Sequence, residues 1–200
     1  MEIFIWGLIA FLSASIPWSL LLGLLFSRSD VRSVGDKNPG GANVLKMAGW
    51  KVGLTAIFVD IGKAFLPVYV AIIYTDLQSW PLVIVSLSCL LGSIFTPFLK
   101  FKGGKSLGVT CGIWAAISSG MIIPIICIFM ALAHLIQKTH IWTIIVGFLG
   151  ILSWVLIFDF RVEYVIFWII NFLIVMMKHK KEFDRRIIFR DWILGLRRAQ

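Results

Sequence analysis

Charge is scarce in this sequence. Only 14% of its 200 residues are Asp, Glu, Lys or Arg, where an ordinary soluble domain carries about 25%. Hydrophobic residues make up 60%, and mean hydropathy is +0.95. Such a chain has too little polar surface to stay dissolved, which excludes a soluble domain and a disordered chain and leaves an integral membrane protein. Cysteine is also sparse. Cys89, Cys111 and Cys127 sit in apolar segments; an odd, scattered set has neither metal-ligand spacing nor a disulfide framework, so they read as small buried hydrophobes. Cations are missing ahead of the first apolar run, where Glu2 stands, so a cleaved signal peptide is not expected. Neither an inverted repeat nor a matched pair of Gly/Pro-broken helices is present, which leaves a transporter unsupported.

What charge there is carries one sign. The 19 Lys and Arg outnumber the 10 Asp and Glu, for a net +9. Eight of the cations fall between Lys178 and Arg198, five between Arg28 and Lys51, and three at Lys100, Lys102 and Lys105. Nucleic-acid binding needs a continuous basic face, so no nucleic-acid partner is expected. Basic loops between apolar spans read instead as positive-inside topology signals.

Apolar spans are expected at about 3–26 (with Pro17 inside), 52–74, 81–99, 141–158 and 163–177. The run 107–137 is too long for one crossing: as a single helix it would extend roughly 46 Å against a hydrocarbon core of about 30 Å. One crossing there would also put the basic tail outside. A break at Ser118-Ser119-Gly120 or Pro124 returns it inside. The expected fold is therefore an all-α integral membrane protein of about seven transmembrane segments, N-terminus outside and C-terminus cytoplasmic. Residues 1–178 form a polytopic membrane domain with cytoplasmic motif loops 27–51 and 100–106, and 179–200 a basic amphipathic tail. The alternation of Ile187, Ile188, Phe189 and Trp192 with arginines suits an interfacial helix on an anionic leaflet.

Four features carry candidate chemistry. The segment from Gly35 to Lys46 holds Asp36, Lys37, Asn38, Gly40 and Asn43. It reads either as a phosphate cradle lined by backbone N–H groups or as an ordinary polar loop. The segment Lys100-Phe101-Lys102-Gly103-Gly104-Lys105-Ser106 sets a glycine pair between lysines before an apolar helix. That is a compact anion site, and a mere positive anchor needs no glycine pair. Its glycine spacing is not that of a P-loop. Asp60 and Lys63, at i and i+3 in a span, read as an ion pair that is either structural or supports a site. His179, at the start of the basic tail, reads as a base, a donor to a phosphoryl group, or a solvated tail residue. His134 and His140 read as interfacial.

Together these residues resemble the PlsY family of bacterial acyl-phosphate-dependent glycerol-3-phosphate acyltransferases. The resemblance rests on Ser15-Ile16-Pro17, on Gly35, Asn38, Pro39, Gly40, Asn43 and Val44, on Asp60, Lys63 and Leu66-Pro67-Val68, and on Phe101 to Lys105. A histidine follows the family's last span, as His179 does here. The sequence departs from the pattern at several places, among them Asp36 at a serine, Lys37 at a glycine, Gly41-Ala42 at an Ala-Thr pair, Lys46 at an arginine, Ser93 at a histidine and Glu182 at an asparagine. The resemblance implies transfer of a fatty acyl group from acyl phosphate to glycerol 3-phosphate, giving lysophosphatidic acid for phospholipid synthesis. It implies no cofactor, no metal and no acyl-CoA, and a bacterial inner-membrane protein, multi-pass and monomeric, whose partners are its two substrates and membrane lipids. On that basis Lys105 and Lys102, with Gly103 and Gly104, are expected to bind phosphate. Gly35, Asn38, Gly40, Asn43 and Lys46 are expected in the glycerol phosphate site. Asp36, Lys105 and His179 are the catalytic candidates, with Asp60, Lys63, Ser93 and Glu182 supporting. The competing expectations are a paralogue acting on another phosphorylated polyol and a non-catalytic lipid-binding or regulatory protein.

Overall fold

The structure is a computed structural model and describes residues 1–75, 77–184, 186–190 and 192. Among these, regular structure is helical, and one isolated antiparallel bridge joins Gln137 to Phe189. The eight α-helices are α1 (Glu2–Ser15), α2 (Trp18–Ser27), α3 (Gly41–Tyr74), α4 (Ser79–Ile94), α5 (Leu107–Ile117), α6 (Ile122–Ile136), α7 (His140–Phe158) and α8 (Val162–Lys178). Among the described residues, four stretches are long and apolar enough to cross a membrane: Glu2–Ser27, Gly41–Tyr74, Ser79–Leu99 and His140–Phe158. The chain divides into two compact units, Met1–Gly120 and Met121–Gln200.

Several boundaries differ from expectation for local reasons. The first apolar run is two helices, because Pro17 has no N–H to continue the ladder and the backbone opens at Ile16 (φ −65°, ψ 122°). The second begins at Gly41, not near 52, so half of the expected polar loop is helical. It is broken at Gly49, whose φ of 79° and ψ of 175° suit a residue without a Cβ. The run 107–137 is indeed interrupted: α5 ends at Ile117 and α6 starts at Ile122, with Ser119 (φ 51°) and Gly120 (φ 89°) turning the chain. Pro124 does not make the break. It lies in the first turn of α6, where a missing N–H is harmless.

In the first unit, α1 packs on α4, and α3 packs on α2 and α5. Glycines set how closely. A Cβ on Gly92 would run into the Phe11 carbonyl, and one on Gly112 into the Ile61 carbonyl. Lipid offers little hydrophobic drive for helix association, so such small-residue contacts supply the packing. In the second unit α6 packs on α7, with Gly147 against Met130 and Gly150 against Phe129. Trp168 and Phe172 of α8 stack on each other, Phe148 of α7 meets both edge-on, and the Trp168 indole donates to the Phe148 carbonyl at 2.9 Å. Large apolar side chains such as Phe4, Leu25, Phe58 and Ile157 point outward, as they do on a lipid-facing surface.

The tail differs from the amphipathic helix expected of it. Residues 186–190 run extended against the α6–α7 connection. The Lys138 N–H donates to the Ile188 carbonyl at 2.8 Å, and the Arg190 N–H to the Ile136 carbonyl at 3.0 Å. The Thr139 hydroxyl donates to the Arg186 carbonyl at 2.9 Å and accepts from the Ile188 N–H at 3.2 Å. Exposed turn backbone and a buried threonine thus outcompete local helix formation. Residues 193–200, where the helix was also expected, lie outside the described residues, as does Asp76.

Candidate functional site

Two loops of the first unit build the site. One runs from α2 to α3 and the other from α4 to α5. The first opens on a 3-10 turn, Val31–Ser33, capped by the Asp30 side chain, which accepts from the Arg32 N–H at 2.8 Å. Gly35 then takes φ +60°, and a side chain there would collide with the Asn43 carboxamide. Asn43 is 2% exposed and clamps the loop. Its amide donates to Asp36 Oδ1 at 2.7 Å and to the Asn38 carbonyl at 2.9 Å. Gly40 gives space to the Asn38 amide, and its carbonyl accepts from the Asn43 N–H as α3 starts.

The second loop is held from below. The Gly103 N–H donates to the Ile94 carbonyl at 2.9 Å, and a Cβ on Gly103 would overlap the Ser93 and Ile94 carbonyls. Only glycine lets the loop lie so close to the end of α4. Lys100, Phe101 and Ser106 all take left-handed backbone angles, with φ between 52° and 61°. Ser93 and Ser106 share a buried hydroxyl–hydroxyl hydrogen bond of 2.6 Å, and Ser93 also donates to the Leu90 carbonyl. Ser93 therefore braces the loop. The sequence places Ser106 in the loop but gives it no role, because nothing in the chain spacing joins it to Ser93.

The loops meet at an ion pair. Lys105 Nζ lies 2.6 Å from Asp36 Oδ2, the lysine side chain being 16% exposed and the carboxylate 44%. The Asn38 carboxamide oxygen lies beside Gly104, and the Lys46 ammonium beside Gly35. Lys102 is exposed at the loop surface. Asp36 also accepts from the Asn38 N–H at 3.2 Å. Its partial burial alone would raise the carboxyl pKa, but the bonds from Lys105, Asn43 and the Asn38 N–H outweigh that and hold it at about 2. The group is a carboxylate at neutral pH with its acceptors engaged. Lys105, Asp36, Asn38 and Asn43 thus come together, with Lys46 against Gly35 and Lys102 on the exposed side of its loop. The direct Asp36–Lys105 bond was not expected, because it joins two loops far apart in the chain.

Asp60 and Lys63 stand apart from that cluster. Lys63 Nζ is 2.9 Å from Asp60 Oδ1 and also donates to the Ile16 carbonyl at 2.9 Å. Asp60 Oδ2 accepts from the Ser19 hydroxyl at 2.5 Å, and Ser13 donates to the Lys63 carbonyl. The pair ties α3 to the α1–α2 break and supplies a donor where Pro17 interrupts the helix. In this geometry the pair acts as a structural tie. Pro17 was the available signal, since a proline-broken span needs a donor from elsewhere.

His179 belongs to the second unit. It is not a solvated tail residue: the side chain is 1% exposed, just past α8, and Nδ1 bonds the Val175 carbonyl at 2.8 Å. Its ring centroid is 6.4 Å from that of His140, and Glu182 follows on the 3-10 turn Lys180–Glu182. His134 bonds Arg190 of the tail at 2.8 Å.

Comparison with known proteins adds the following. The family model described as glycerol-3-phosphate acyltransferase matches residues 4–188. Curated relatives bearing that name include one from Pelagibacter ubique, 34% identical over 92% of this chain and 94% of its own length. Another, from Thermotoga maritima, is 30% identical over 88% of this chain and 94% of its own. A third, from Leptospira borgpetersenii, is 36% identical, but there the match spans 64% of this chain and only 56% of the relative's length. Among solved structures, the integral membrane glycerol 3-phosphate acyltransferase PlsY in its glycerol 3-phosphate form superposes with a TM-score of 0.80 at 21% identity. The match covers 98% of this chain and 94% of that one. Its lysophosphatidic acid form gives 0.81 at 20% identity.

Proposed function

The chain belongs to the glycerol-3-phosphate acyltransferase family, and on that premise we propose that it transfers a fatty acyl group from acyl phosphate to glycerol 3-phosphate, releasing lysophosphatidic acid and inorganic phosphate. The observation that carries the reading is the pairing of the two glycine-lysine loops through Lys105 and Asp36. It concentrates three lysines and two carboxamides around backbone that can approach an anion closely.

In the proposed reaction the sn-1 hydroxyl oxygen bonds to the acyl carbon. The bond from that carbon to the bridging phosphate oxygen breaks, and the phosphate leaves with the electron pair and takes up the hydroxyl proton, departing as the hydrogen phosphate dianion. Lys105 and Lys102, with the Gly103 and Gly104 backbone, hold the acyl phosphate's phosphate and steady the charge that develops on it. Asn38, Asn43, Lys46 and the Gly35 and Gly40 backbone bind glycerol phosphate, so that both reactants are held together. Asp36 anchors Lys105. A carboxyl held near 2 is a weak proton acceptor at neutral pH, so its catalytic contribution is positioning. Ser93, Asp60 and Lys63 support the framework of the two loops.

The proposal extends to topology. The protein is a monomer, multi-pass in a bacterial inner membrane through about seven segments, N-terminus outside. Residues 1–178 form the membrane domain and 179–200 the cytoplasmic basic tail. The deciding experiment gives the purified protein acyl phosphate and labelled glycerol 3-phosphate. Labelled lysophosphatidic acid is the expected product, and none from folded protein overturns the reading.

A further inference from the structure

The basic tail is a feature of the sequence that acyl transfer leaves unused. Residues 178–200 hold eight cations and three acids, leaving a net +5. Residues 186–190 form an extended strap, pinned along its backbone by the Ile136 carbonyl, the Lys138 N–H and the Thr139 hydroxyl. The Arg190 guanidinium adds two bonds, to the His134 carbonyl at 2.6 Å and to His134 Nε2 at 2.8 Å. We propose that this pinned strap, with Lys180, Lys181 and Trp192 flanking it in the chain, is a docking surface for the anionic lipid headgroups of the leaflet around the protein. The inference goes beyond acyl transfer and does not rest on it.

The level of the strap follows from the fold of the second unit. Helix α7 is long and apolar enough to cross a membrane, so its first residue, His140, marks where hydrocarbon gives way to headgroups. The strap bonds Ile136, Lys138 and Thr139, which stand just ahead of His140. Helix α8 returns to the same end, since the ring centroid of His179, just past its last residue, is 6.4 Å from that of His140. The strap, the α6–α7 connection and the end of α8 therefore share headgroup level.

The side chains suit that level. Ile187, Ile188 and Phe189 are consecutive apolar residues with 43%, 56% and 44% exposure, and Trp192 is 67% exposed. Such a run is unfavourable in water unless something covers it, and tryptophan is enriched where lipid tails meet headgroups. Lys180, Lys181 and Arg186 are exposed in the same segment, against an exposed Asp184 and a half-buried Glu182. A cation near an anionic leaflet gains about fivefold in affinity, and the apolar run gains by burial among the acyl chains. The lipid is the occupant that this position always meets. Edge-to-edge pairing of the extended strap with a second copy of the chain is the reading this must defeat.

The test places the full chain in nanodiscs of phosphatidylcholine alone, or of equal parts phosphatidylcholine and phosphatidylglycerol. Chymotrypsin cleavage after Phe189 is timed against cleavage after Phe160, which is 64% exposed in the α7–α8 turn and serves as the internal reference. Phosphatidylglycerol should slow the Phe189 cut at least about tenfold relative to the reference. Raising the salt to about 1 M should remove most of that protection by screening. Inorganic phosphate added to the neutral discs should give none. Lys180→Gln combined with Lys181→Gln should lose most of the protection. So should Ile188→Ser, which leaves the backbone bonds of the strap in place. Lys51→Gln, which removes an exposed cation of α3, should keep it. Equal cleavage in the two kinds of disc overturns the proposal. So does protection that survives the double lysine variant, or that rises with copies of the protein per disc instead of with phosphatidylglycerol.

Discussion

Replacing Lys63 by methionine tests the tie between the broken first span and α3. The substitution keeps length and apolar bulk but removes two interactions: the 2.9 Å pairing with Asp60 and the 2.9 Å bond to the Ile16 carbonyl. Both side chains of the pair are largely buried, at 10% and 16% exposure. Removing one partner of a buried ion pair costs about 3–5 kcal/mol, because the other charge is left uncompensated. The Ser19 hydroxyl still reaches Asp60, which places the loss toward the lower end. For a chain of this size that corresponds to a fall of about 6–20 °C in the unfolding midpoint. Thermal unfolding in a single detergent would measure it. Adding Asp60→Asn to the Lys63 variant removes the stranded charge and should restore at least half of the loss. A shift below about 2 °C, or a double variant no more stable than the single one, would refute the assignment of this pair as the tie.

Lys105→Ala should lower kcat/KM for acyl transfer by about 10- to 150-fold, the range for losing one charge-assisted bond, and steady-state kinetics would show it. Gly103→Ala places a methyl against the Ser93 and Ile94 carbonyls; it should destabilise by about 1–3 kcal/mol through overpacking and depress activity further by moving Lys105, read by unfolding and kinetics together. Asp36 is lowered from 3.8 to about 2, so its contribution is complete above its unfolded pKa and is lost as pH falls through the folded value. Wild-type stability should therefore drop between about pH 4 and 2 more steeply than that of Asp36→Asn, in an acid titration followed by circular dichroism. Thr139→Val removes both hydroxyl bonds that hold the tail, and trypsin should then cut at Arg186 and Arg190 faster than in the wild type.

How far the sequence can be read depends on the range of the forces involved. Span positions and the break in 107–137 follow from apolar runs and from Ser119 and Gly120, which act within a few residues. The helical stretch Gly41–Ala48 was missed because its polar residues face the site, so composition resembled a loop. The tail at 186–190 was misread because its partner, the Thr139 turn, lies distant in sequence. For the site, residue types and glycine spacing were enough to nominate both loops. Of the readings open for His179 only the solvated tail residue falls away, because burial depends on neighbours, not on the lysines beside it.

By itself the sequence determined a membrane-dwelling helical chain, a one-signed charge concentrated in loops and tail, and two glycine-lysine segments built for anions. These are properties of composition and local spacing, and any compact fold of this chain inherits them. The tertiary structure decided the partners: Lys105 with Asp36, Lys63 with the Ile16 carbonyl, Ser93 with Ser106, and His179 beside His140 and Glu182. Each joins side chains that only helix packing brings within a few ångströms. Short-range electrostatics and hydrogen bonding act only at that distance, so the chemistry of each group was set after the chain had folded.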